Sequence, residues 1–261
     1  EKITMDHDKM MQIIYDVFDA SMPRLAPGDD ESTRRALEML YGVALEGVGE
    51  EFRVLDIGCG NGAQTLRLAA ELGGRVTAVD NHQLYLDELE RRAEAQGLAD
   101  RIETRCADMK ELDLDGETFD LVWAEGSAFV MGVPEALREW RSFLKPGGAL
   151  GFTELTWLED GAPDECQEFF ATEYPQMTDV ASHLATIEEC GYELVGQFTL
   201  PESSWWEPYY GPLAERLAGY EAPSDDDETQ AVLGMIQSEI DIYRRFSRWY
   251  GYVFFMLRTR R

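Results

Sequence analysis

Apolar positions recur along this chain at two different spacings. Met10, Met11, Ile14, Val17 and Phe18 fall three and four residues apart, which predicts an amphipathic helix over about residues 6 to 20. Core packing is the default for such a stripe; a mobile flap over a ligand is the functional alternative. Pro23, Pro27 and Gly28 then break the chain, and Asp30 or Ser32 can cap a helix through Ala36, Leu37 and Leu40. From Arg53 onward, short aliphatic runs alternate with helical stripes. The runs are Arg53 to Ile57, Arg75 to Val79, Ile102 to Cys106, Phe119 to Ala124, Ala149 to Leu155, Tyr192 to Leu200 and Tyr250 to Leu257. Seven strands interleaved with helices predict an α/β fold with a mostly parallel, doubly wound sheet. Gly97 ends the helix through Leu84, Leu89 and Ala93, and Pro134 opens one carrying Leu137, Trp140 and Leu144. Lys145 to Gly148 forms the next turn. Leu233, Ile236, Ile240, Tyr243 and Phe246 mark a helix between the last two strands.

The first of these strands runs into glycines, in the stretch VLDIGCGNGAQT from Val54 to Thr65. Gly58, Gly60 and Gly62 remove side chains where the backbone must turn sharply and a ligand can approach it. A helix starting near Ala63 would point its N-terminal amides at that ligand. Gly58, Gly60 and Ala63 also satisfy the degenerate dinucleotide pattern GxGxxA, which is weak evidence by itself. Asp56 separates the readings: a carboxylate at the strand end would repel a pyrophosphate and suits a cationic ligand. Asp80 ends the second strand, 24 residues after Asp56, and one βαβ step places it beside the glycine loop. An acid there can accept both hydroxyls of an adenosine ribose, whichever adenosine cofactor is bound, and Asn81 after it is a plausible helix cap.

Charge narrows the partners. Lys and Arg total 23 against 51 Asp and Glu, a formal net charge of -28. A field of that sign disfavours nucleic acid and membrane surfaces. The one basic cluster, Arg258, Arg260 and Arg261, reads as a solubilising tail, and the acidity itself suits either a salt-adapted host or simple solubility. Cys59, Cys106, Cys166 and Cys190 are scattered, without a CxxC pair or a Cys/His cluster at metal spacing, so reduced, buried thiols, no metal and a cytoplasmic setting are expected. No apolar run reaches membrane-span length, no signal peptide is expected, and Ser224 to Glu228 is the only low-complexity stretch.

The glycine run resembles the first motif of class I S-adenosylmethionine-dependent methyltransferases. FDLVWAEGSAF and LREWRSFLKPGGALGFTE look like that family's later motifs in the right order, so the resemblance covers about Val54 to Glu154. A weaker resemblance, through TELTW at 153 to 157, LPESSWW at 200 to 206, Tyr209, Tyr210 and YGYVFF at 250 to 255, points to a bacterial UbiE-like subgroup of small-molecule methyltransferases. The resemblance implies a seven-stranded Rossmann-like sheet of order 3-2-1-4-5-7-6 with the seventh strand antiparallel. It implies one domain: residues 1–50 a helical cap, 51–156 the cofactor core, and 157–261 the lid with the C-terminal half of the sheet. It implies S-adenosylmethionine as cofactor, S-adenosylhomocysteine as product, and contacts from Asp56, Gly58, Cys59, Gly60, Gly62, Asp80, Asn81, Asp108, Met109 and Glu125. In that family pattern Asp108 accepts from the adenine amino group and Met109 packs on the ring.

Methyl transfer from a sulfonium is an in-line displacement, so the protein must align a nucleophile and, where that nucleophile carries a proton, offer a base. Glu125, at the end of the fourth strand beside the topological switch, can bind the cofactor ammonium, orient the acceptor, act as the base, or be merely structural. Glu154, at the end of the fifth strand, is the second candidate. Trp157, Phe169 and Phe170 in one connection, and Trp205, Trp206, Tyr209 and Tyr210 in another, are candidates for a substrate pocket that suits an apolar, aromatic or cationic acceptor. Core filling is the competing role for these rings. His7 has no assigned part, His82 is a candidate contact at the adenosine edge, and His183 is expected to be packed or solvent-facing. The expected activity is methylation of a small molecule. The rivals are a non-catalytic cofactor-binding sensor or partner subunit, a nicotinamide oxidoreductase, and a methyltransferase for macromolecules.

Overall fold

A computed structural model describes residues 7–45, 48–221 and 226–260. The side chain of His7, and Ser224 and Arg261, lie outside the described residues. Among the described residues, seven strands of five or more residues form one sheet: β1 (Arg53–Ile57), β2 (Arg75–Asp80), β3 (Ile102–Cys106), β4 (Phe119–Ala124), β5 (Leu144–Trp157), β7 (Tyr192–Thr199) and β8 (Tyr250–Thr259). Their order is β3-β2-β1-β4-β5-β8-β7, with β8 antiparallel to both neighbours. This is the expected 3-2-1-4-5-7-6 topology with one strand added. The addition is β6 (Thr178–Asp179), which runs parallel to Thr156 and Trp157 beyond the point where β4 has ended.

Period-two alternation sorts the sheet's side chains to two faces. Val54, Leu121, Phe254 and Met256 pack beneath α2 (Asp30–Leu40) and α3 (Ala63–Leu72). Leu55, Ile57, Val253, Phe255 and Leu257 pack with α5 (Val133–Phe143) and α7 (Val180–Glu189). Helix α4 (Gln83–Gln96) joins α3 through Leu66, Leu86 and Leu89, and Gly97 closes it in the left-handed conformation. A separate, ring-rich core lies under α1 (His7–Val17), α6 (Asp164–Glu173), α9 (Gly211–Gly219) and α10 (Asp227–Phe246). Ile13 and Val17 of α1 are buried in it, so this helix is packed over its described length.

Two expected caps move by a residue. Asp29, and neither Asp30 nor Ser32, caps α2, accepting from the Ser32 amide at 2.6 Å. His82, and not Asn81, holds the N-cap position of α4, with its amide bound to the Asp80 carboxylate and no side chain capping the helix. Strand β5 also begins earlier and ends later than expected, since β8 pairs with it as far as Trp157 opposite Tyr250. Between β7 and α9 the chain runs through α8 (Ser203–Trp205) and a π turn over Trp206–Tyr210. The wider turn buries Trp205, Tyr209 and Tyr210 together while Trp206 stays half-exposed. In the C-terminal basic cluster, Arg258 pairs with Glu193 and Arg260 with Glu188. Of the cysteines expected to be buried, Cys59, Cys166 and Cys190 are, whereas Cys106 is exposed because β3 is an edge strand.

Candidate functional site

The glycine loop is held by the next strand. Amides of Gly58 and Cys59 both donate to the Val79 carbonyl, at 2.8 and 2.9 Å. Gly60 donates to Asp80 Oδ2 at 2.9 Å, and His82 to Oδ1 at the same distance. Gly58 sits at φ +71°, and a Cβ there would lie 2.5 Å from that of Ser127, so only glycine fits. The loop thus forms the floor of a cavity of ≈ 320 Å³ at the carboxyl ends of β1, β2 and β4.

Eight of the residues expected at the cofactor border this cavity: Gly58, Cys59, Gly60, Asp80, Asn81, Asp108, Met109 and Glu125. Asp56 and Gly62 do not. Asp56 is fully buried behind the loop, where it accepts from Thr65 Oγ1 at 2.6 Å and Gln64 Nε2 at 3.4 Å. Burial pushes its carboxyl up to about 7 against the pull of those two donors, so it braces the start of α3 and does not face a cationic ligand. Gly62 gives way to Leu89 of α4: a Cβ would collide with that side chain. Its role is helix packing.

Glu125 borders the cavity, yet its carboxylate is already engaged. Oε1 accepts from Thr33 Oγ1 at 2.7 Å and Trp123 Nε1 at 2.9 Å, and Oε2 accepts from Arg24 Nη1 at 2.8 Å. Both partners of this ion pair are almost wholly buried, with side-chain exposures of 6% and 3%. Both of its oxygens are therefore committed to Arg24, Thr33 and Trp123. Arg24 gave no signal in the sequence, because a lone arginine among prolines reads as a loop.

The segment from Phe18 to Asp29, which in sequence is only a break, is the roof. Asn61 of the glycine loop donates to the carbonyls of Ala20 and Met22, Arg92 of α4 reaches the same two carbonyls, and Tyr85 donates to Phe18. At the other end the Gly28 amide binds the Ser204 carbonyl. Tyr15 of α1 stacks on His82 with ring centroids 3.8 Å apart. Tyr15 and Tyr85 complete the wall.

Beyond this roof lies a second cavity of ≈ 440 Å³. Leu25, Ala26, Pro27, Tyr85, Gly126 and Phe129 border both spaces. Of the expected pocket residues, Glu154, Tyr209, Tyr210, Trp205, Phe169 and Phe170 line the second cavity. Trp157 and Trp206 do not. Trp157 packs edge-on against Phe170 and Tyr250 and opens to a different hollow, and Trp206 lies against Tyr243 with Arg244 over its outer face. Glu154 is 1% exposed; one oxygen, Oε1, accepts from Tyr174 Oη and from the Leu155 amide, both at 3.0 Å. Burial pushes its carboxyl up to about 7, a little eased by those two donors. His183 is buried on the far face beside Phe255, where burial lowers it to about 4. Among the described residues, no group of three or more His, Cys, Asp or Glu could hold a metal ion, and no helix is long and apolar enough to cross a membrane.

A doubly wound sheet with one antiparallel strand, and a glycine loop facing an acid at the end of the second strand, define a Rossmann-like cofactor-binding protein. Comparison with known proteins narrows the class. Residues 54–148 match the family model described as a methyltransferase domain. The chain is 29% identical to a 27-O-demethylrifamycin SV methyltransferase of Amycolatopsis mediterranei over 73% of its length and 70% of that protein's. It is 25% identical to a sterol 24-C-methyltransferase of Neurospora crassa over 74% of its length and 53% of that protein's. The chain spans about half the length of the sterol methyltransferases it matches. Among solved structures, a methyltransferase from Thiobacillus denitrificans in complex with S-adenosylhomocysteine superposes with a TM-score of 0.79 at 22% identity, covering 98% of this chain and 100% of that one. The matched stretch, residues 54–148, which carries the glycine loop, is similar to S-adenosylmethionine-dependent methyltransferase domains. These matches support the class and do not single out a UbiE-like subgroup.

Proposed function

We propose that the protein transfers a methyl group from S-adenosylmethionine to a small molecule, with the cofactor over the glycine loop and the acceptor in the aromatic cavity. The observation that carries this reading is the shared wall: two cavities, one floored by glycines and one lined by rings, meet at Leu25 to Pro27, Gly126 and Phe129. The glycine-loop cavity suits this cofactor. Gly58 and Gly60 leave the backbone open, Asp80 keeps acceptor capacity for ribose hydroxyls, and Asp108 and Met109 stand at the adenine end. It suits a dinucleotide poorly, because its only basic side chain among the described residues, Arg24, is already paired with Glu125. Bound there, S-adenosylmethionine would supply the methyl electrophile. The protein's own part is to hold the acceptor against that group and keep water out. Glu125 then serves to fix Arg24 and the roof, and the acceptor side falls to Glu154.

One domain carries the whole site in this reading. Residues up to 50 supply the roof, 51–156 the cofactor floor, and 157–261 the aromatic chamber. Relatives named for a sterol and a rifamycin support a small-molecule acceptor, and the acidic surface argues against nucleic acid. Four unpaired cysteines fit the cytoplasm.

Calorimetric titration tests the cofactor assignment. S-adenosylhomocysteine should bind, NADH should not, and Asp80→Ala should weaken S-adenosylhomocysteine by about 10- to 100-fold, the loss expected for charged hydrogen bonds. Binding of NADH without S-adenosylhomocysteine would overturn the assignment.

A further inference from the structure

The aromatic cavity holds more polar chemistry than packing requires. Glu154 Oε2, Trp205 Nε1 and the Tyr250 hydroxyl all belong to residues of its wall, and all three atoms are buried with no hydrogen-bond partner among the described residues. Leaving a buried polar group unpaired is unfavourable, and more so for a charged one. Three on one chamber is the pattern of a site whose partners arrive with a ligand.

The sign of the charge narrows that ligand. Glu154, Glu173 and Glu239 all border the cavity, and no lysine, arginine or histidine does among the described residues. Glu239 is held by the Tyr210 hydroxyl at 2.9 Å and Glu173 stands exposed at the rim, which leaves Glu154 as the buried acid with a free oxygen. Nothing here could offset a carboxylate or phosphate on the acceptor, whereas a cation would meet both a carboxylate and ring faces. Trp205 Nε1 can only donate, so the same molecule should carry an oxygen or nitrogen acceptor as well.

Resting on the methyltransferase reading above, we propose that the acceptor is a protonated amine on an apolar body, its N–H held by Glu154 Oε2 and its body enclosed by the rings of Tyr174, Trp205, Tyr209 and Tyr250. Tyr174 Oη and the Leu155 amide fix the carboxylate through Oε1 and leave Oε2 for the ligand. That oxygen is also placed to take the proton an ammonium must shed before its nitrogen has a lone pair to offer.

The test uses protein saturated with S-adenosylhomocysteine and two matched sets of probes: 2-phenylethylamine, 2-phenylethanol and 3-phenylpropionate, and their cyclohexyl counterparts. The amine of each set should bind at least about tenfold tighter than the alcohol or the acid, and Glu154→Gln should remove that preference while leaving S-adenosylhomocysteine affinity unchanged. Tyr174→Phe keeps the acid and should retain the preference at reduced strength. Equal binding of alcohol and amine, a preference for the acid, no binding by any probe, or an amine preference that survives Glu154→Gln would overturn the assignment. If S-adenosylhomocysteine itself fails to bind, it is the underlying methyltransferase reading that falls.

Discussion

Glu154→Gln makes the strongest demand on the physical picture, because its effect on stability should reverse the usual expectation for a buried substitution. Burial raises the Glu154 carboxyl from 4.5 to about 7. A group raised on folding favours the folded state fully below its unfolded value, and that contribution is lost as pH rises through the folded value. At alkaline pH the folded protein must carry a buried charge, a penalty of about 3 kcal/mol for a rise of this size. Glutamine keeps a carbonyl for the Tyr174 hydroxyl and the Leu155 amide and carries no charge at any pH. The variant should therefore match the parent within about 0.5 kcal/mol near pH 4.5 and exceed it by up to about 3 kcal/mol at pH 8. For a chain of this length the gain corresponds to about 6–12 °C in melting temperature. Asp56 is also raised to about 7 and shapes the absolute curve of both proteins, so the difference between them is the quantity to follow. Thermal unfolding of both from pH 4.5 to 8, without ligand, measures it. A difference that stays flat across this range would refute the claim that Glu154 is buried without a cation.

The buried pair between Arg24 and Glu125 predicts a large loss on breaking it. Arg24→Ala should destabilise by about 3–5 kcal/mol in urea unfolding, and adding Glu125→Gln should restore part of it by removing the stranded charge. Gly58→Ala forces a side chain into the left-handed region and against Ser127; it should lower stability by at least about 1–2 kcal/mol and weaken S-adenosylhomocysteine binding, read by thermal shift and titration. Asp80→Ala, by contrast, should act mainly on cofactor affinity, although freeing the Gly60 and His82 amides will loosen the loop.

What was legible in the sequence follows from the range of the interaction. Strands such as Val54 to Ile57 declare themselves through short aliphatic runs and the glycines after them, and the sheet order followed from resemblance to a known family. Helix caps are decided by contacts between neighbours: α4 starts one residue later than an Asn81 cap requires, with the His82 amide bound to Asp80. Asp56 faces away from the cavity because strand alternation turns it toward α3. Trp206 and Tyr209 were indistinguishable as sequence, yet a π turn leaves the first half-exposed under Arg244 and sends the other to the chamber. The roof from Phe18 to Asp29 and the ion pair from its Arg24 to Glu125 were invisible, since that contact joins residues 101 positions apart. Glu125 and Glu154 looked alike for the same reason: Arg24 and Thr33 engage the first and Tyr174 the second, contacts that no local pattern in β4 or β5 announces.

The central claim, methyl transfer to a small molecule, is tested most directly with S-adenosylmethionine carrying a labelled methyl group. The protein is incubated with it and a host extract, and the products are separated into metabolites, proteins and nucleic acids. Label in the metabolite fraction, on a compound that carries an amine, is the predicted result. Label in protein or nucleic acid, or no transfer from cofactor that is demonstrably bound, would contradict the account.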